Sequence, residues 1–112
     1  ELHPYNISQK SQIIVETFRE TTRHKSGGRA KMMVVTSSRL AAVRYFHEVK
    51  RYIEEQKYND VQILIAFSGA VQDGDTEYTE PKLNVRVDGS HIAETQTKAA
   101  FYVNFNVLIV AE

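Results

Sequence analysis

Three short apolar runs rich in β-branched residues, within 31–36, 61–67 and 106–111, constrain this chain more than any other feature. A strand with one face in water alternates apolar and polar residues. A nearly unbroken run such as Met32-Met33-Val34-Val35 or Val107-Leu108-Ile109-Val110 predicts a strand covered on both faces, the condition of a parallel sheet flanked by helices. Between the first two runs, residues 38–56 carry Leu40, Val43, Phe46, Val49 and Ile53 at helical intervals behind a possible Ser38 cap. Strand, helix and strand form a βαβ unit, whose crossover is right-handed in nearly all proteins.

The rest of the chain extends this pattern. Residues 8–25 read as a helix capped by Ser8, with Ile14 and Phe18 on one face and Gly27-Gly28 as its stop. Residues 70–90 shift to Asp, Gly, Thr and Glu with Pro81, which predicts an irregular surface loop with at most a short strand near 83–87. A short helix over 92–101 and a third strand over 106–111 follow. The expected architecture is one α/β unit over 1–112, half of a doubly wound domain with an incomplete parallel sheet. The expected strand order is 2-1-3, with the third strand as a possible open edge that would invite association.

Composition narrows the function. The 14 Lys and Arg balance 14 Asp and Glu, so any contact with nucleic acid must come from a local patch. The absence of Cys removes disulfides and thiolate metal sites and is compatible with a reducing cytoplasm. No apolar run approaches the roughly 20 residues that span a bilayer. The first residues show neither an initiator Met nor a signal pattern, and the last apolar run ends on Glu112, so a segment of a longer polypeptide is expected.

In open parallel sheets, ligands gather beyond the carboxyl ends of the strands. After the first strand stand Ser37, Ser38 and Arg39 at a helix start, where backbone N–H groups, hydroxyls and a guanidinium could hold a phosphate. The plainer alternative makes Ser38 a cap and Arg39 a solvated charge. After the second strand, Ser68-Gly69 could approach a phosphate backbone closely or form an ordinary turn.

Other motifs carry less. The stretch Asp73-Gly74-Asp75-Thr76-Glu77 fails as a calcium loop, because Tyr78 stands where Gly is required and Asn84 where Glu is required. His3, His24, His47 and His91 are dispersed without metal-ligand spacing. Gly27-Gly28 precedes a strand, so it is not a Walker phosphate loop, and no nucleophile elbow occurs. Arg44, Lys50 and Arg51 read most simply as the solvated face of the long helix.

Taken in order, His3-Pro-Tyr-Asn-Ile-Ser-Gln-Lys, Met33-Val-Val-Thr-Ser-Ser-Arg39 with Ala42-Val-Arg-Tyr45, Ile65-Ala-Phe-Ser-Gly69 and Val107-Leu-Ile-Val-Ala-Glu112 resemble the motor (restriction) subunit of type I restriction-modification enzymes, within the superfamily 2 helicases. The resemblance covers nearly the whole chain. It implies a RecA-like, P-loop NTPase-type fold, here part of the second motor domain, with 34–39 as helicase motif IV, 67–69 as a neighbouring backbone-contacting element and 107–112 leading into motif V. By this resemblance the DNA-binding residues are Thr36, Ser37, Ser38, Arg39, Ser68 and Gly69, with Arg44 a weaker candidate more than one turn into its helix.

The resemblance further implies a parent that is a DNA-dependent ATPase and endonuclease, using ATP and Mg and translocating double-stranded DNA. The parent would assemble with modification and specificity subunits in a bacterial or archaeal cytoplasm. The nuclease, P-loop and arginine-bearing motifs would lie outside this chain, so no catalytic, cofactor-binding or metal residue is assigned and the segment alone is expected to be inactive. Two alternatives are another superfamily 2 motor and a free-standing α/β interaction module. A receiver-type module would need clustered acids after the first strand, where this chain has Ser37-Ser38-Arg39.

Overall fold

The computed structural model describes residues 4–24, 30–86 and 88–111. Helix α1 (Pro4–His24) leads to β1 (Met32–Thr36), α2 (Arg39–Gln56) and β2 (Ile63–Ala66). A hairpin of β3 (Ala70–Asp73) and β4 (Thr76–Thr79) runs into a one-turn helix α3 (Glu80–Leu83). A 3-10 turn (Glu94–Gln96), α4 (Thr97–Val103) and β5 (Val107–Ala111) complete the chain.

Helix α1 starts four residues before the expected point, because Pro4 is tolerated in a first turn, where its missing N–H has no partner to lose. Ser8 is therefore inside the helix, and its side chain bonds Glu48 of α2 instead of capping. Ile7, Ser11, Val15 and Phe18 form the buried stripe of α1, while Ile14 is only half-buried. The proposed stop at Gly27-Gly28 lies outside the described residues. Helix α2 follows the expected pattern: the Ser38 side chain accepts from Ala41 N at 3.0 Å, and Val43, Phe46, Val49 and Ile53 are buried. Its end at Lys57 takes a left-handed conformation, φ 60°, whose N–H returns to carbonyls of the last turn.

A polar clasp fixes α1 on α2. Tyr52 and Tyr58 both donate to Glu16 Oε2, at 2.5 and 2.6 Å, and these bonds raise the pKa of both phenols, that of Tyr52 well above its usual range. Arg19 stacks over the Tyr58 ring at 3.6 Å and pairs with Asp60 at 3.0 Å, which ties α1 to the turn before β2.

The three main strands are parallel as expected, but their order is β1-β5-β2 and not 2-1-3. The third strand is thus the centre of the sheet rather than an edge, with Val107 paired to Met32 on one side and Ile63 on the other. Two side chains select this order. Asn106 accepts from Gln62 N at 2.7 Å and donates to Asp60 O at 2.9 Å, seating β5 beside β2. Lys31 Nζ donates to the carbonyls of Phe101 and Phe105 at 2.8 and 2.7 Å, holding β1 against the same approach. Helices α1 and α2 cover one face, around Val15, Phe18, Phe46, Ile65 and Ile109. On the other face α4 packs Ala100 and Phe101 over Leu64 and Leu108.

The described residues of 70–90 form more regular structure than their polarity predicts. Gly74, at φ 63°, opens the two-residue turn of the β3–β4 hairpin, where a left-handed residue is required. The hairpin strands are too polar to read as strands, and tertiary contacts hold them: Tyr78 meets His47 edge-on at 5.0 Å, and Arg44 pairs with Asp73. At the place of the short strand expected near 83–87, Val85 forms an isolated antiparallel bridge with His91, flanked by the Arg86 N to Ser90 O and Ile92 N to Asn84 O bonds.

Helix α3 closes the outer edge of β2 with side chains. The Asn84 amide accepts from Ile65 N and donates to Ile65 O, both at 2.9 Å, as a neighbouring strand would. Glu80 Oε1 accepts from Phe67 N at 2.8 Å, and Oε2 accepts from the Thr97 hydroxyl. Asn84 is fully buried, so Asn84→Ala leaves two backbone groups without partners. The expected loss is about 2–4 kcal/mol of unfolding free energy in a denaturant titration.

Burial lowers the His47 pKa from its ordinary value of 6.5, against a smaller opposing effect of Asp73, so the folded state favours the neutral ring. An unfolded chain then binds more protons than the native one just below that value. Stability is full above pH about 6.5 and falls as pH drops through the lower folded value. His47→Phe is expected to flatten this part of the stability-versus-pH curve, measured by thermal unfolding between pH 5 and 7.5.

Candidate nucleic-acid interface at the carboxyl edge of the sheet

Because β1, β5 and β2 are parallel, their carboxyl ends share one edge, and the turns after β1 and β2 lie beside each other there. Thr36, Ser37, Ser38 and Arg39 form the first turn and Ser68 and Gly69 the second. Arg39 joins them: its Nη1 donates to Ser68 O at 3.1 Å and Ala70 O at 3.0 Å. Six of the seven residues expected from the sequence therefore gather in one place.

Their individual roles differ. Thr36 is buried, and its hydroxyl lies 3.0 Å from Val110 O and 3.1 Å from Ser38 O, so its proton is committed to the fold. Ser38 is spent on capping α2. Ser37 and Ser68 are exposed, and among the described residues neither hydroxyl makes a hydrogen bond. They are the hydroxyls open to a ligand, next to the N–H groups of the first turn of α2, where the helix dipole favours an anion.

Gly69 is required twice over. Its φ of +74° is costly for a residue with a Cβ, and a Cβ would stand 3.2 Å from Arg39 Nη1. Arg39 is exposed, yet it is neither a free solvated charge nor wholly available to phosphate, because one of its nitrogens braces the neighbouring turn. Arg44 is not part of the cluster. It faces the hairpin, with Nε 3.3 Å from Asp73 Oδ2 and Nη2 3.2 Å from Oδ1, so its charge is largely answered within the fold.

Sequence reasoning passed over Glu80, which sits at the same edge. It is buried and lines a groove of about 480 Å³ together with Ser68, Thr97 and Lys98, over a floor that includes Leu108 and Val110. A Glu-Pro pair opening a one-turn helix was the only available signal, and the polar composition around it pointed to a loop. No three His, Cys, Asp or Glu side chains group to hold a metal among the described residues. The strand-to-helix turn after β1 contains no glycine, so it does not fit a nucleotide in the Walker manner. No described helix is long and apolar enough to cross a membrane.

Fold and edge together define a small α/β domain with a three-stranded parallel sheet, a separate antiparallel pair and a polar cluster at the carboxyl edge. Neither a protein-family model, nor a curated protein, nor a solved structure matches the chain.

Gly69→Ala is expected to lower stability by about 1–2 kcal/mol in chemical denaturation, from the left-handed backbone and the crowded guanidinium. In an Arg39→Ala background the crowding part of that loss disappears and the backbone part remains, so the two effects are expected to be less than additive.

Proposed function

We propose that this chain is part of the double-stranded DNA translocase motor of a type I restriction enzyme, a portion of the second RecA-like domain that contributes motif IV and contacts to the DNA backbone. The observation that carries the reading is the Arg39 bridge. It makes one polar surface from two turns, 34–39 and 67–69, that the resemblance assigns independently to the DNA side of such a motor.

A motor that steps along any sequence needs contacts to phosphate rather than to bases. Small hydroxyls and helix N-terminal amides meet that need without reading bases, and here they are held by Arg39, Gly69 and the Ser38 cap. In this reading Ser37 and Ser68 donate to phosphate oxygens, and Arg39 adds charge while fixing the turn. Thr36 and Ser38 position the surface, and Arg44 belongs to the hairpin contact. ATP and Mg would be held by other parts of the parent polypeptide, and modification and specificity subunits would supply methylation and sequence choice. The nuclease activity would likewise reside in another part of that parent.

The experiment uses the complete parent polypeptide with Ser37→Glu and Ser68→Glu, which put a negative charge on hydroxyls that hold nothing in the fold. DNA affinity measured by fluorescence anisotropy is expected to fall roughly tenfold for each, about 1.4 kcal/mol, with DNA-stimulated ATPase reduced in step and the thermal midpoint unchanged. Arg39→Ala is expected to reduce the slope of log affinity against log salt by about one. Unaltered affinity in all three variants would remove this edge from the DNA track, and a parent without DNA-stimulated ATPase would remove the motor assignment.

A further inference from the structure

The polar excursion that follows β2 is pinned at its base and along its length. At the base, Phe67 N donates to Glu80 Oε1, so the two ends of the excursion meet. Along its length, three side chains of α2 reach it: Arg39 bonds Ser68 O and Ala70 O, Arg44 pairs with Asp73, and His47 meets Tyr78 edge-on. One helix therefore holds the start of the excursion, its outgoing strand and its returning strand.

The hairpin is shaped for this seat. A two-residue turn at Gly74-Asp75 makes Asp73 and Thr76 a hydrogen-bonded pair, and the alternation of an antiparallel ladder makes Val71 and Tyr78 the next one. Directly opposed residues share a face, so Val71, Asp73, Thr76 and Tyr78 lie on one side of the hairpin, and Val71 and Tyr78 pack there against the main core. Ala70 and Thr79 form a non-hydrogen-bonded pair, which turns the Ala70 carbonyl away from β4 and toward Arg39.

The spacings agree. From Arg39 to Arg44 is about 7.5 Å along a helix, and from Ala70 to Asp73 about 10 Å along a strand, a difference that long arginine side chains accommodate. Seating Asp73 on Arg44 thus sets Ala70 within reach of Arg39. The seat is two-pronged, with Arg44 Nε 3.3 Å from Asp73 Oδ2 and Nη2 3.2 Å from Oδ1. A two-stranded hairpin is marginal by itself in water, so its place depends on such contacts.

Resting on the DNA-track reading above, we infer that Arg44 and Asp73 are positioning residues for the polar edge: their ion pair seats the hairpin so that Ser68 O and Ala70 O stay in front of Arg39, which holds the Ser68-Gly69 turn against the Ser37-Ser38 turn. Neither residue contacts DNA in this arrangement. Strand β3 carries their effect from Asp73 back to Ala70, and the contact of His47 with Tyr78 secures the returning strand.

Two measurements test the inference. In the 112-residue chain, Asp73→Arg sets two guanidiniums against each other. Amide exchange at Val71 and Tyr78, the hydrogen-bonded pair of the hairpin, is expected to speed about tenfold, while exchange at Ile65, held by Asn84, is unchanged. The milder Asp73→Asn, which removes the pair without adding repulsion, is expected to speed it about threefold. Arg44→Glu combined with Asp73→Arg restores the pair with its charges reversed, and exchange is expected to return to within about twofold of wild type.

In the complete parent polypeptide, the DNA concentration that half-saturates the ATPase is expected to rise about threefold for Asp73→Arg and to recover in the double variant. Charge alone predicts the opposite sign, because an added cation tightens DNA binding. Asp75→Lys at the exposed turn makes the same change of charge away from Arg44 and is expected to lower that concentration or leave it as it is. Unchanged exchange in both Asp73 variants, no recovery in the double variant, or an unchanged half-saturating concentration would each overturn the positioning role and leave the motor reading standing. A parent whose ATPase ignores DNA would overturn the motor reading, and this inference with it.

Discussion

Everything in this structure depends on β5 entering between β1 and β2. Val107 and Ile109 are buried to about 1% and 0% exposure, and each is covered by helices on one face and a paired strand on either side. The insertion is held at its entrance by Asn106, whose amide takes the backbone of Gln62 and Asp60, and by Lys31, which reaches the carbonyls of Phe101 and Phe105. Strand pairing over this distance in sequence is entropically slow to form, and it buries Val107, Leu108 and Ile109. Once it forms, the carboxyl ends of all three strands point the same way, and the polar turns after β1 and β2 are brought to one edge.

The insertion also leaves the outer strands with unequal fates. The segment that follows β2 is long enough to fold back, and it brings Glu80 and Asn84 onto the backbone of Phe67 and Ile65. The buried amide and carboxylate are tolerated there because each polar atom finds a partner, backbone groups for Asn84 and Glu80 Oε1 and the Thr97 hydroxyl for Glu80 Oε2. No equivalent segment follows β1, since α2 begins two residues after the strand and passes over the helical face. Among the described residues, one side of the sheet therefore ends in hydrogen bonds from Glu80 and Asn84 and the other in the apolar side chains of Met33 and Val35.

At the polar edge, residues share out structural and ligand-facing tasks. Thr36, Ser38, Gly69 and part of Arg39 hold the turns, and Ser37 and Ser68 are left facing solvent. The same division explains why Arg44, which resembles Arg39 in charge and in helix, has another role. One turn further along α2 it meets the hairpin, whose Asp73 answers it. Together with the His47 contact to Tyr78, that pair makes the polar excursion after β2 a docked element rather than a loose loop.

The sequence by itself determined the local elements: the apolar runs that became β1, β2 and β5, the periodicity of α2, the Ser38 cap and the parallel sense of the sheet. These are legible because they depend on neighbours within a few residues, and the period of burial is written directly in the residue order. It also placed Thr36, Ser37, Ser38, Arg39, Ser68 and Gly69 at strand ends. Tertiary structure alone decided the strand order, since three runs of similar apolarity can be permuted without changing the local pattern. It likewise decided the hairpin at 70–79, the withdrawal of Arg44 to Asp73, the bracing task of Arg39 and the capping of one sheet edge by Glu80 and Asn84. Each of those depends on groups distant in the chain meeting at hydrogen-bond distance, which residue order does not specify until the central strand is in place.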